Sequence, residues 1–411
     1  MQFKKFCAYG FLKNLRFFDA FFILFLVDKG LSYTEIGALY ATRELFINIF
    51  EIPSGIIADT YGRRLTLAGS FISYILSFVL FYFSNQFSMF MFAFILFGIG
   101  EAFRSGTHKG IIIDYLKIKK WNHLKILYYG HTRSWSQIGS ALSALIAGFI
   151  IYFGGNYNSI FLYSIIPYLI NLILILSYPK EIDLPPEPDS FSKKLNVMGT
   201  IRPFLDIIRK PKVLGIINTS AVHSAFLKVI KDYIQPLIVN VAILLPFMLN
   251  TSVDKKNGLV IGITYFIIFL LTSKASQLAS AIAANNKNNI SHLTLVTGFI
   301  LGIATGIFYY YDLWVLSLIT FVGIYIVENI RKPILTGFVS DNVPNEILTT
   351  VISTQSLLQT VVTVTMSFLF GIVADNYGIG TSLFTVSGIL LIVTMIFKII
   401  ENYKVDQLNT N

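Results

Sequence analysis

The chain has 411 residues, of which 55% are hydrophobic and only 13% are charged, and its mean hydropathy is +0.67. Soluble globular proteins carry about 25% charged residues, so this composition excludes a soluble protein and indicates one embedded in a lipid bilayer. The net charge of +10 would indicate nucleic-acid binding in a soluble chain. Here the basic residues lie mostly in alternate loops between apolar runs, so no nucleic-acid partner is predicted.

The first apolar run, residues 6–27, follows Lys4 and Lys5, as the core of a signal peptide would. It contains Arg16 and Asp19, however, and it lacks a small-residue cleavage site. We therefore predict that this run is the first membrane helix.

Twelve apolar runs, each about long enough to cross a bilayer, predict membrane helices in two sets of six. They cover residues 6–27, 35–54, 65–84, 88–110, 128–153 and 157–178, then 213–240, 257–282, 291–311, 313–338, 347–372 and 380–401. The stretch between the two sets contains Pro185, Pro186, Pro188 and many charges, which is typical of a linker. We predict an all-helical membrane protein with six-helix bundles at 1–178 and 213–401, a cytoplasmic linker at 179–212 and a cytoplasmic tail at 402–411.

Lysines and arginines fall mainly on one side of these predicted helices. Arg63 and Arg64 follow the second run, Lys119 and Lys120 follow the fourth, and several more lie in the linker. Because cytoplasmic loops are enriched in lysine and arginine, we predict a multi-pass protein of the cell membrane with both termini in the cytoplasm.

A polar turn bounded by glycines joins the second and third runs. Its glycine and charged positions are Gly55, Asp59, Gly62, Arg63 and Arg64. The pattern resembles the loop signature of the major facilitator superfamily, Gly-x-x-x-Asp-basic-x-Gly-basic-basic, except that Thr60 stands where a basic residue is common. The resemblance implies twelve helices in two pseudo-symmetric six-helix bundles, which rock against each other around a site near the bilayer midplane.

We predict that this loop forms a conformational latch with acids at the ends of nearby helices. Glu51 and Asp114 lie at such ends, and we favour partnership with Arg63 or Arg64 over substrate binding. The predicted latch residues are Glu51, Gly55, Asp59, Gly62, Arg63, Arg64 and Asp114.

An internal repeat supports two related halves. The fourth run contains Glu101-x-x-Arg104-x5-Gly110-x3-Asp114, and the tenth contains Glu328-x-x-Arg331-x5-Gly337-x3-Asp341. The spacing is identical, and both segments occupy the corresponding place in their half.

Charged residues within the runs mark a predicted cavity, because each costs about 2.5–3.5 kcal/mol at the bilayer centre on insertion scales and should face protein or water. The third, sixth and ninth runs contain none. In the superfamily that the chain resembles, these helices and the twelfth are outer supports. The predicted substrate and proton cavity comprises Arg16, Asp19, Arg43, Glu44, Glu101, Arg104, Arg133, Lys228, Lys231, Asp232, Lys274, Glu328 and Arg331.

Several of these charges are spaced to share one helix face. The pairs are Arg16 with Asp19, Glu101 with Arg104, Glu328 with Arg331, and Lys228 with Asp232, and Lys228, Lys231, Asp232 and Gln235 form one stripe. Two interpretations stay open: the pairs neutralise each other structurally, or part of the set binds substrate or protons. Deep cations outnumber deep anions, which favours an anionic or zwitterionic solute.

Proton coupling needs an acid that changes its charge. Asp19 is the first choice because it lies near the middle of the first run beside a cation, and Glu101 and Glu328 are the other candidates. His108 and His223 are interpreted as polar neighbours rather than proton carriers.

No enzyme signature is found: the chain lacks a zinc-protease motif, a phosphate-binding loop and a nucleophile elbow. With one cysteine, Cys7, neither an internal disulfide nor a cysteine-based metal cluster is predicted, and no cofactor is expected. The sequence predicts a monomeric, proton-coupled secondary transporter of a small organic solute, in contact with the lipid bilayer. The alternatives are proton-driven multidrug efflux and a solute sensor with a transporter fold.

Overall fold

The computed structural model describes residues 2–121, 124–154, 156–179, 181, 211–245, 253–283, 287–342 and 345–409. It divides into two compact units, the first formed by Met1–Glu187 with Ile238–Leu270 and the second by Pro188–Leu237 with Leu271–Asn411. Most of the predicted linker, 179–212, lies outside the described residues. The predicted domain boundaries therefore stay a prediction.

The described residues form helices joined by short connections and contain no strand, which confirms the all-helical class. Eight helical spans of the described residues are long and apolar enough to cross a membrane, and one of them, Phe87–Ile118, covers two of the helices given below. The helices are α1 Gln2–Lys13, α2 Phe22–Asp28, α3 Tyr33–Tyr61, α4 Arg63–Phe83, α5 Phe87–Arg104, α6 Thr107–Ile118, α7 Lys125–Gly154, α8 Ser159–Leu176, α9 Pro211–Ile230, α10 Ile234–Leu244, α11 Val253–Ala283, α12 Lys287–Tyr310, α13 Trp314–Asn342 and α14 Asn345–Asn409, with a 3₁₀ turn at Lys231–Tyr233.

The first predicted helix is interrupted between Lys13 and Phe22, where the chain forms turns. The expectation that Arg16 and Asp19 share one face of a continuous helix is therefore wrong. The Asp19 amide instead donates to the Arg16 carbonyl over 3.1 Å, in a tight turn.

Neighbouring helices bond the backbone groups that this interruption frees. The Phe17 amide donates to the Ser164 hydroxyl over 3.1 Å, and the Tyr168 hydroxyl donates to the Lys13 carbonyl over 3.0 Å. Both partners lie on α8. Non-helical backbone at membrane depth is tolerated when protein or water satisfies its polar groups, so α8 stabilises the interruption.

The structure corrects two further expectations about where the helices are continuous. The turn predicted at 55–64 is mostly helical, since α3 continues to Tyr61 and the chain reverses at Gly62, whose φ is 95°. The fourth predicted helix, 88–110, is divided at Gly106, whose φ is 75°. L-residues with a side chain rarely adopt such φ values, so each glycine allows a change of direction that the apolar pattern does not reveal.

Aromatic side chains dominate the core of the first unit. The rings of Phe22 and Phe94 stack with their centroids 5.3 Å apart, and those of Phe18 and Phe161 stack at 5.1 Å. All four side chains are buried. The broken first segment is thus held between α5 and α8 by large apolar surfaces.

Small residues allow helices to approach closely within each unit. A Cβ at Gly139 of α7 would lie 2.5 Å from the Phe11 carbonyl oxygen of α1, and one at Gly306 of α12 would lie 2.6 Å from the Gly380 carbonyl oxygen of α14. Neither position has room for a larger side chain, which agrees with the general role of small residues in membrane helix packing.

The second unit ends in α14, which comprises two helical arms separated by Gly378 with a φ of 84°. The eleventh and twelfth predicted helices, 347–372 and 380–401, lie on these two arms. At the other end of the unit, Ile216, Leu335 and Val351 share a buried apolar cluster, which joins α9, α13 and α14.

Candidate functional site

A three-residue ion network lies in the first unit, where the interrupted segment faces the end of α5. The Arg16 guanidinium donates to one carboxylate oxygen of Glu101, and the Arg104 guanidinium donates to the other. The side chain of Glu101 is 15% exposed. Arg104 lies one turn after Glu101 on α5, as the sequence predicts, whereas Arg16 reaches the site only because the first helix is broken.

Two tyrosine hydroxyls extend this network. Tyr168 accepts from Arg16 Nε over 2.6 Å, and Tyr74 accepts from Arg104 Nε over 3.0 Å. The Arg16 guanidinium carbon also lies 5.2 Å from the centre of the Phe97 ring, within reach of a cation–π interaction. Both arginines are therefore oriented by α4, α5 and α8 together.

A cavity of about 780 Å³ opens beside this network in the first unit. Its charged lining residues are Lys13, Arg104, Lys109 and Arg133, and its described lining contains no aspartate or glutamate. The remaining lining residues are Tyr9, Gly10, Asn14, Ser105, Gly106, His108, Ile112, Thr132, Ser136 and Gln137. Basic residues outnumber acids in and beside this lining even though Arg104 is paired with Glu101, so the local potential is positive, and the amide and hydroxyl groups add hydrogen-bonding capacity.

Lys13 and Lys109 are cavity residues that the predicted set lacks. Each lies beside a helix interruption, Lys13 at the end of α1 and Lys109 just after Gly106. A lysine–asparagine pair inside an apolar run is the signal that could have identified Lys13. His108 also belongs to the cavity wall, where its ring stacks on Tyr9 with centroids 3.6 Å apart.

The structure separates Asp19 from the large cavity. Asp19 is exposed and, with Arg16, Ser140 and Tyr265, lines a pocket of only about 30 Å³ in the first unit. Its proposed role as a proton carrier stays a prediction.

The second charged group of the first unit lies on α3. Arg43 bonds to Glu44 over 3.1 Å, and its guanidinium carbon lies 4.7 Å from the centre of the Tyr40 ring. Both charged side chains are buried. This pair of sequence neighbours is not part of the lining of the 780 Å³ cavity.

In the second unit, Glu328 of α13 is bonded to α9. Its carboxylate lies 2.6 Å from His223 Nδ1 and accepts from the Ser224 hydroxyl over 2.5 Å, and Lys332 Nζ is 3.7 Å away. Glu328 is 1% exposed and His223 is fully buried. The interpretation of His223 as a polar neighbour missed this contact because the two residues are 105 positions apart.

The predicted pair of Glu328 with Arg331 does not form as an ion pair like that of Glu101 with Arg104. Arg331 donates instead to the carbonyls of Thr219, over 2.6 Å, and Ser291, over 2.5 Å, and to the Thr294 hydroxyl over 2.8 Å. The repeat in sequence thus becomes two different sets of contacts.

The predicted stripe on α9 is also altered. Lys231 and Asp232 lie in the 3₁₀ turn, where Lys231 Nζ is 3.6 Å from Asp232, so a regular helical face does not continue from Lys228 to Gln235. Lys274 on α11 is exposed. The substrate roles of these four charged residues, like that of exposed Arg133, stay predictions.

One ion pair of the predicted latch is present. Arg63 Nη1 lies 2.9 Å from Asp114 Oδ2, and Arg64 donates to the carbonyls of Leu176 and Tyr178. Glu51 is exposed, and the Asp59 side chain lies outside the described residues. The function of these residues as a latch stays a prediction.

Gly110→Ala tests whether the glycine of the internal repeat leaves the space that the Arg63 side chain needs to reach Asp114. A Cβ at Gly110 would overlap the Arg63 guanidinium, so we expect Arg63 to move away and to lose its partly exposed ion pair with Asp114, at about 0–1 kcal/mol of unfolding free energy. Gly55→Ala is the matched control, because no atom lies within 4 Å of its added Cβ and alanine favours a helix by about 0.5–1 kcal/mol. Thermal unfolding in detergent compares the two variants, and equal stability would show that Gly110 has no such role.

The comparisons with known proteins agree on one architecture. A family model described as Major Facilitator Superfamily matches residues 8–363. An uncharacterised MFS-type transporter of Bacillus subtilis (strain 168), YxaM, is 22% identical over 392 residues, which cover 94% of this chain and 92% of that relative.

Solved structures of low sequence identity share the fold. A mutant of the nucleoside transporter NupG is 14% identical, with a TM-score of 0.77 over 97% of this chain and 100% of that one. A D-xylose-proton symporter is 14% identical, with a TM-score of 0.65 over 96% of both chains. A peptide transporter POT in complex with sulfate is 11% identical, with a TM-score of 0.73 over 98% of this chain and 94% of that one.

Proposed function

Because the chain belongs to the Major Facilitator Superfamily and is a multi-pass membrane transporter rather than an enzyme, we propose that it carries a small organic anion or zwitterion by alternating access. Transport would be driven by a proton gradient. Both termini would face the cytoplasm, which the distribution of lysine and arginine supports.

The main support for an anionic or zwitterionic solute is the cationic cavity of the first unit. Four basic residues line a space of about 780 Å³, within the usual range for small-molecule sites. An anion that enters it gains charge-assisted hydrogen bonds, whereas a lipophilic cation would be repelled. Glu101 and Tyr74 already hold the Arg104 guanidinium in place, so this side chain needs little rearrangement when an anion binds.

Proton coupling is supported by two features. A buried carboxylate whose partners are not arginines occurs in the second unit, at Glu328, and a structural neighbour is named as a proton symporter. A buried acid that gains a proton changes the charge of its surroundings, and such a change biases the equilibrium between inward-open and outward-open states.

The test of solute class is a thermal-shift screen of the purified protein with small carboxylates, phosphates, sulfonates and lipophilic cations. A ligand at about 100 times its dissociation constant should stabilise the protein by roughly 2.7 kcal/mol. We expect organic anions to give the larger shifts. Stabilisation by lipophilic cations alone would favour multidrug efflux instead.

Lys13→Gln combined with Arg133→Gln tests the cavity itself. Both residues line it, and neither side chain holds Glu101. A charged hydrogen bond contributes about 1.5–3 kcal/mol, so we expect binding of the stabilising anion to weaken by at least about tenfold. Lys117→Gln is the control and should bind normally, because Lys117 is an exposed lysine of the first unit that does not line the cavity. Unchanged affinity in the double variant would refute this cavity as the site.

A further inference from the structure

The two acids related by the internal repeat have partners of different chemistry. Glu101 is bonded by the guanidinium groups of Arg16 and Arg104, one on each carboxylate oxygen. Glu328, at the equivalent position of the second half, is bonded by the His223 imidazole and the Ser224 hydroxyl. The sequence repeat conceals this difference, because Arg16, His223 and Ser224 lie outside it.

The partners of Glu101 keep it ionised. Arginine is effectively always protonated in proteins, so a proton placed on Glu101 would leave two guanidinium groups in a largely buried network without their counter-charge. Glu101 is therefore suited to hold Arg16 and Arg104 in place, and it is a poor carrier of an exchangeable proton.

The partner of Glu328, by contrast, is a side chain that can itself gain and lose a proton. Imidazole is the side chain whose ordinary titration falls between about pH 5 and 8, and His223 Nδ1 lies 2.6 Å from the Glu328 carboxylate. A proton bound to this pair can be shared between nitrogen and oxygen, so neither group has to carry an uncompensated charge.

The surroundings of the pair are apolar and closely packed. His223 contacts Phe226 on α9 and Phe299 on α12, and its Nε2 has no hydrogen-bond partner among the described residues. The ring fits because position 298 is glycine, where a Cβ would overlap it.

Charged groups around the pair come from α13. Lys332 Nζ is 3.7 Å from Glu328, and Arg331 is fully buried and donates to carbonyls of α9 and α12. On α12 the imidazole faces Gly298 and Phe299, and on α9 Phe226. Lys332 is half-exposed and can follow a change of charge at Glu328, whereas Arg331 is held by its own three bonds.

We propose that the His223–Glu328 pair binds and releases the coupling proton. Loading adds one proton from water and changes the net charge of the pair from −1 to 0, and unloading returns that proton to water. This proposal rests on the proton coupling proposed above and assigns its site. It places the exchangeable charge in the second unit and the fixed ion network in the first.

The test needs no transported solute. Infrared spectroscopy of the reconstituted protein at a series of pH values follows the bands of neutral imidazole, imidazolium and protonated carboxyl groups. The other histidines and the exposed acids titrate in the same bands, so each variant spectrum is subtracted from that of the wild type. We expect the wild type to show one titration step in addition to those that remain in the variants. Glu328→Gln should remove this step, because glutamine keeps the size of the side chain but leaves the buried His223 imidazole without a carboxylate to balance the charge of an added proton. His223→Gln should remove it as well, since an amide can donate to Glu328 but cannot take up a proton.

Glu44→Gln is the control, because Glu44 is also a buried acid bonded to a neighbouring side chain but belongs to the first unit. It should keep the step. Each variant is checked for a cooperative unfolding transition, and His223→Gln decides the question if Glu328→Gln does not fold. The proposal is overturned if this additional step survives in either folded variant, or if the wild type does not show it. Binding of anions is measured separately by the thermal-shift screen, so its failure does not affect this result.

Discussion

Glu101→Gln is expected to lower the unfolding free energy by about 3–5 kcal/mol, the range observed when one member of a buried ion pair is removed. The carboxylate is the shared partner of Arg16 and Arg104. Without its charge, two guanidinium groups repel each other within a site that is only 15–23% exposed. Tyr74 and Tyr168 would remain hydrogen-bonded to them but supply no opposing charge.

The measurement is thermal or chemical unfolding of the detergent-solubilised protein. Glu51→Gln is the matched control, because Glu51 is an exposed acid on a helix and its replacement should change stability by less than about 0.5 kcal/mol. Combining Glu101→Gln with Arg16→Gln should cost less than the sum of the two single changes, since the double variant removes one of the repelling charges. Additive costs would show that the three residues are not coupled.

Arg331→Met is expected to have the second large effect, a loss of about 3 kcal/mol or more. Arg331 is fully buried and donates to the carbonyls of Thr219 and Ser291 and to the Thr294 hydroxyl. It therefore links α13 to both α9 and α12. Methionine would fill much of the volume but remove these bonds, and a hydrogen bond from a charged group contributes about 1.5–3 kcal/mol.

Arg331→Lys separates charge from geometry. Lysine keeps the positive charge, but a single ammonium group cannot reproduce the planar fork that reaches oxygens on two helices, so we expect most of the loss to remain. Lys274→Met is the control, because Lys274 is an exposed cation of the same unit. Wild-type stability in Arg331→Lys would indicate that charge alone accounts for the role of Arg331.

Together these variants test whether the charged residues of the two units have different roles. In the first, permanent charges hold a broken helix beside a cationic cavity. In the second, an arginine that donates to helix backbones lies next to the His223–Glu328 pair, for which we propose proton exchange. The same Glu-x-x-Arg sequence serves both purposes, because its partners are contributed by different helices.

The sequence predicted the class and the helices well. Apolar runs of membrane length locate the helices, since a lipid environment requires each spanning segment to satisfy its own backbone hydrogen bonds. The loop with Gly62 and Arg63 identified the superfamily, and the family match over residues 8–363 confirms it. The pairing of Glu101 with Arg104 also followed from spacing alone, because residues three apart are neighbours on a helix.

Contacts between segments were decided only by the tertiary structure. Hydrophobicity does not show that the chain unwinds between Lys13 and Phe22, and this interruption is what brings Arg16 to Glu101. Nor does spacing reveal that His223 meets Glu328, because the contact depends on how α9 packs against α13. The sequence by itself therefore determined the class and most of the helices, whereas the predicted surplus of buried cations stays a prediction. Only the packing of the helices decided that Glu101 is bonded by two arginines and Glu328 by a histidine, because the partners of a buried group can be distant from it in the chain.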